Sequence, residues 1–144
     1  MNTWLFPNHK REFVGKRQLM IGLRTLHLIG VSGYAGLFLF DLPIDQWLSL
    51  GLLALVSGLL MLLIEIWGDG IFLFQMRGLA VLLKLLIFGL ILFVPQWRVE
   101  GFITILLLAG YFSHAPARIR YYLPLSGLNA SSSAKLRELK GVES

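Results

Sequence analysis

A chain of 144 residues that is 56% hydrophobic and 15% charged, with a mean hydropathy of +0.73, has too little polar surface to cover a soluble core of its size. Its lack of cysteine excludes disulfides, thiolate zinc sites, iron–sulfur clusters and cysteine nucleophiles together. The formal net charge of +5 sits beside hydrophobic blocks, as the positive-inside rule requires, so the partner it points to is a lipid bilayer and not nucleic acid.

The apolar residues form long blocks, not the short alternating runs of a β-barrel. The fold class read from this pattern is an all-α integral membrane protein. Residues 1–17 form a basic leader with Trp4, Phe6 and Phe13 among the charges. Such a segment suits either the headgroup layer or an ordinary cytoplasmic extension. Spanning about 30 Å of hydrocarbon takes about 20 helical residues, and four stretches qualify: 18–40, 46–67, 71–94 and 99–115.

The connections are short and rich in turn residues. DLPID, with Asp41, Pro43 and Asp45, joins the first pair; WGDG joins the second and third; VPQWRVEG, with a proline stop and Trp97, joins the last pair. Short links predict an up-down-up-down antiparallel bundle over 18–122. Lys10, Arg11, Lys16 and Arg17 precede the first span, and Arg118, Arg120, Lys135, Arg137 and Lys140 follow the fourth, whereas the opposite side offers only Arg98. Both termini are therefore expected in the cytoplasm of a bacterial-type inner membrane. The first stretch ends without a small-x-small cleavage motif, which argues for a retained span over a signal peptide. Residues 123–144, rich in Ser, Gly and Asn, read as a flexible cytoplasmic tail with one short helical turn.

Ionisable side chains inside these spans are the main functional clue, because each costs about 2.5–3.5 kcal/mol near a helix centre. At ~100° per residue, Arg24, His27, Val31, Tyr34 and Phe38 share a face of the first helix. Arg77 and Lys84 align a heptad apart on the third, and Glu65, Gly58 and Gly51 on the second. Ile103, Leu107, Gly110, His114 and Arg118 make a stripe on the fourth, which Pro116 interrupts. The candidate ligand- or anion-binding residues are Arg24, His27, Tyr34, Arg77 and Lys84, with Glu65, His114 and Arg118 in support. Arg24, His27, Glu65, Arg77, Lys84 and His114 lie in the expected cytoplasmic half. A net-positive cluster there suits a lipid phosphate, a haem propionate or an acidic side chain of another subunit. Plainer roles exist: Arg24 and Arg77 are near enough to the interface to snorkel, Glu65 is placed to pair with Arg77, and His27 to bond a neighbouring helix. Gly30, Gly33, Gly36, Gly51 and Gly58 suit close helix packing or approach to a flat cofactor.

The run RTLHLIGVSGYAG, Arg24 to Gly36, resembles the first helix of CopD-like and related small bacterial membrane proteins, in which a histidine followed by glycines sits in a bundle of four or more helices. The resemblance covers one helix. Some relatives of that group are b-type cytochromes, so it implies haem b as a cofactor, with His27 and His114 as axial ligands and Arg24, Arg77 and Lys84 near the propionates. The sequence places His114 closer to the cytoplasm than His27, an unfavourable offset for two ligands of one iron.

Three functions follow from these residues. One is a non-catalytic accessory or assembly subunit completed by other membrane proteins or by self-association. A second is a haem b- or quinone-linked electron carrier using His27. A third is a small carrier or lipid- and anion-binding protein. No catalytic constellation is legible: Ser113 and His114 are adjacent with no orienting acid, and Asp41 and Asp45 lie away from Glu65 and Asp69.

Overall fold

The computed structural model describes residues 4–40 and 42–141, so Asp41 lies outside the described residues, as do the extreme ends of the leader and tail. The chain is predominantly helical and divides into two compact units, Glu12–Ile64 and Met1–Arg11 with Glu65–Ser144.

The first unit is a helical hairpin. Gly15, at φ 85°, adopts the left-handed conformation that only glycine takes without strain and turns the leader into α1, Lys16–Phe40. The second arm, α2, spans Ile44–Gly68, and its opening is fixed by Gln46 N donating to Pro43 O at 3.0 Å. The arms meet through glycine. A Cβ on Gly30 would lie 2.5 Å from Ala54 N and 2.7 Å from Leu50 O, so the two backbones approach as closely as a missing side chain allows. Gly51 receives the Tyr34 ring and Gly58 the His27 ring in the same way. The small residues aligned in the sequence are thus packing positions, as in small-xxx-small pairs of membrane helices.

The second unit is built around the corner that follows α2. Asp69 caps a 3₁₀ turn, Gly70–Phe74, its side chain accepting from Ile71 N. Gln75, extended at φ −79° and ψ 151°, ends that turn and precedes α3, Met76–Phe93. The α-helix within the third apolar stretch thus begins at Met76 and not at 71, because the local Asp69 cap holds residues 70–74 in a tighter turn. Pro95–Trp97 form a further 3₁₀ turn, and α4 follows over Arg98–His114. Gly101 lets α4 pack against Ile87 and Ile91 of α3. Pro116, which has no N–H to extend the helix, stands before a one-turn α5, Ala117–Arg120. Arg118 therefore lies beyond α4 and off the stripe that the sequence drew through His114.

The segment after Arg120 differs most from expectation. Strands β1, Tyr122–Leu123, and β2, Leu128–Asn129, pair antiparallel with Tyr122 opposite Asn129, and α6, Ser133–Leu139, is capped by the Ser132 side chain. Leu123 and Ala130 form a small core with Ile71, against which Phe6 and Leu136 pack. Composition alone suggested a loose tail here, but a few buried residues tie it to the α2–α3 corner. The leader is tied there too: Gly70 N donates to Leu5 O at 2.8 Å and Arg11 N to Gly68 O at 2.9 Å.

Candidate functional site

Within the hairpin, His27 is the polar residue most closely engaged. Its Nδ1 lies 2.7 Å from Ala54 O. A carbonyl only accepts, so this nitrogen carries the proton. Ser57, 2% exposed, donates to Leu53 O at 2.6 Å, and its oxygen lies 3.4 Å from the same imidazole nitrogen. The hydroxyl thereby satisfies itself on its own helix, while His27 bonds across the hairpin. Tyr34 is buried and meets Trp47 edge-on, with ring centroids 5.1 Å apart. Arg24 is exposed on α1.

In the second unit, a polar node surrounds the corner. Asp69, 4% exposed, accepts from Ile71 N at 3.1 Å, from Ser133 N at 2.7 Å and from Ser133 Oγ. Three donors on one buried carboxylate give the charge the compensation that burial demands. Gln75, with no exposed surface, donates to Ala130 O at 2.7 Å and accepts from Arg77 Nε at 2.7 Å. Arg77 also faces Glu65 at 3.9 Å, and its guanidinium lies 5.0 Å from the Phe72 ring centroid and 4.9 Å from that of Tyr121. Arg120 approaches the same Tyr121 ring at 5.7 Å. Arg137 reaches the leader, donating to Phe6 O and Asn8 Oδ1, and Arg11 donates to Trp4 O and Trp67 O.

The candidate residues therefore fall into separate groups. Arg24, His27 and Tyr34 belong to the hairpin, with His27 and Tyr34 seated against glycines of α2. Arg77 and Glu65 meet at the corner of the second unit. Lys84, midway along α3 and half-buried, makes no hydrogen bond or ion pair among the described residues. His114 ends α4 exposed, and Arg118 is exposed on α5. Sequence reasoning missed Asp69, Gln75, Ser133 and Arg120 as members of a site. Asp69 and Gln75 did carry a signal, since polar residues straddling GIFLF mark a break in an apolar block.

Among the described residues no group of three His, Cys, Asp or Glu side chains is suited to a metal ion. No protein family, curated protein or solved structure matches the chain.

Proposed function

We propose that the chain is a four-span protein of a bacterial-type inner membrane, with α1–α4 as an up-down-up-down bundle and both termini cytoplasmic, serving as a non-catalytic accessory or assembly subunit of a larger membrane complex. The carrying observation is the exposed apolar surface of its long helices. Asp45–Gly68 and Met76–Phe93 are apolar enough to cross a membrane, yet only 11% and 17% of their most apolar stretches is buried. A soluble core helix hides such a surface, whereas lipid or a neighbouring subunit accepts it. At 25 and 17 residues, α1 and α4 fall within the range of spanning helices. The subunit role draws support from the bonding of His27 and Arg77, the side chains best suited to chemistry, to partners within the chain.

The natural absence of cysteine makes single-cysteine labelling a direct test. In intact cells, Gln46→Cys and Gln96→Cys should react with an impermeant maleimide, and His9→Cys and Ser131→Cys only after permeabilisation. Any other pattern overturns the four-span topology. Native mass spectrometry of protein gently released from its own membrane should show the chain within a larger assembly; a monodisperse lone chain overturns the subunit role.

A second reading, a haem b electron carrier, is favoured by one observation: His27 donates from Nδ1 to a carbonyl, the arrangement that fixes a metal-ligating imidazole with Nε2 free to coordinate. The same purified protein would then show a Soret band that His27→Ala abolishes. A colourless preparation would remove this reading.

A further inference from the structure

We infer that Arg120 and Arg77 form a binding site for a phosphate oxyanion at the cytoplasmic headgroup level, an inference that rests on the membrane reading above. Arg120 is half-buried, and its Nε is shielded from solvent without a hydrogen-bond partner among the described residues. The Tyr121 ring, 5.7 Å from the guanidinium, is the contact that holds it. A guanidinium carries five N–H donors in a planar fork matched to phosphate oxygens, and here that fork lies beside a ring while its donors have no hydrogen-bond partner among the described residues.

A second cation stands close by. Arg77 lies 4.9 Å from the same ring centroid, which places the two guanidinium carbons no more than about 10.6 Å apart. Two acidic groups face this pair. Glu65 approaches Arg77 only at 3.9 Å, a loose pairing, and Asp69 is already occupied by Ile71 and Ser133. Arg77 commits its Nε to Gln75 and the Arg120 Nε is shielded from solvent, so the terminal Nη donors of the two arginines are what an added anion would meet.

Position selects the chemistry of that anion. Arg77 is the second residue of α3, and Arg120 closes α5 just beyond the end of α4; α5 packs against α3. Both arginines thus sit at one end of the α3–α4 pair, where lipid phosphates lie if these helices span the membrane. Half-exposed Trp67 and exposed Trp4 in the same unit are the amphipathic side chains that favour this layer. The shared chemistry is a phosphate ester or free phosphate, held by charge-assisted hydrogen bonds.

The test uses the full chain in detergent micelles doped with phosphatidylglycerol or phosphatidylcholine, read by native mass spectrometry, with inorganic phosphate as a separate arm read by thermal unfolding. Wild type should retain one phosphatidylglycerol through delipidating collision energies. Arg120→Gln should lower that retention about tenfold, the loss expected for a charge-assisted pair, and Arg118→Gln, which removes the same charge from an exposed position, should leave it unchanged. Arg120→Lys, which keeps the charge but not the fork, should retain an intermediate fraction and guards against misfolding of the glutamine variant. Stabilisation by phosphatidylglycerol alone identifies a lipid as the source; stabilisation by inorganic phosphate, abolished in Arg120→Gln, identifies the free anion. Equal losses in Arg120→Gln and Arg118→Gln, or no stabilisation by either ligand, overturn the site. Because topology is read independently by cysteine labelling, failure here leaves the four-span result standing, and failure there is visible without any lipid measurement.

Discussion

Gly30→Ala is the sharpest probe of the α1–α2 contact. The new methyl carbon would stand 2.5 Å from Ala54 N, 2.7 Å from Leu50 O and 2.9 Å from Ala54 Cα. All three are backbone atoms, so no rotamer change relieves the clash, and α1 and α2 must separate by about 1 Å to restore van der Waals distance. A gap of 0.5–1 Å forfeits a quarter to a half of each dispersion contact it opens, and overpacking of this kind costs about 1–3 kcal/mol. Against this stands a helix-propensity gain of about 1 kcal/mol for alanine over glycine. The net expectation is a loss of up to about 2 kcal/mol. Gly22→Ala isolates the propensity term, because a Cβ there meets nothing within 4 Å, and it should be neutral or stabilising. The assay is SDS-titrated unfolding of the purified protein in mixed micelles, followed by far-UV circular dichroism. If Gly30→Ala shifts the midpoint in the same direction and by the same amount as Gly22→Ala, the close backbone approach is refuted.

Two further substitutions test the polar contacts. Ser133→Ala removes the hydroxyl that donates to Asp69 and should cost about 1.5–3 kcal/mol, the range for a bond to a charged group; limited trypsinolysis should then cut faster at Lys135, Arg137 and Lys140, and unchanged cleavage would show that this bond does not hold the tail. His27→Phe keeps a ring against Gly58 but deletes the donor to Ala54 O, so it should lower hairpin stability by about 1 kcal/mol, with His27→Ala lower still because it also opens a cavity; equal stability of His27→Phe and wild type would mean the hydrogen bond contributes nothing.

Helical periodicity and glycine spacing made the hairpin legible. His27 and Tyr34 fall on one face of α1, Gly51 and Gly58 a heptad apart on α2, and the structure joins these pairs, ring to glycine. The signal is local in each helix, repeated every 3.6 residues, and so survives without knowledge of the partner. The corner was less legible. Asp69 and Ser133 are separated by 64 residues, Gln75 and Ala130 by 55, Phe6 and Arg137 by 131. Each of these bonds joins single polar residues with no periodic pattern around them. The Ser-rich segment looked loose because so few of its side chains carry the attachment: Leu123, Ala130, Ser133 and Leu136 are enough.

That difference also sorts the charged residues of the spans and their ends. Arg77 looked like a ligand-binding cation because a charge in an apolar block is expensive, yet Glu65, Gln75, Phe72 and Tyr121 offset that expense from within the chain. A cation compensated internally holds the fold together whether or not a ligand arrives, and removing it should first be read as a loss of stability. Arg120 is the reverse case: in the sequence it is one of the basic residues after the fourth apolar stretch, but its shielded Nε lacks an acceptor among the described residues. Unfilled donors beside a rigid aromatic support give an incoming anion something the fold does not already supply. Internal hydrogen-bond accounting therefore adds Arg120, which shares the Tyr121 ring with Arg77, to Arg77 and Lys84, the candidates that the sequence offers in this unit.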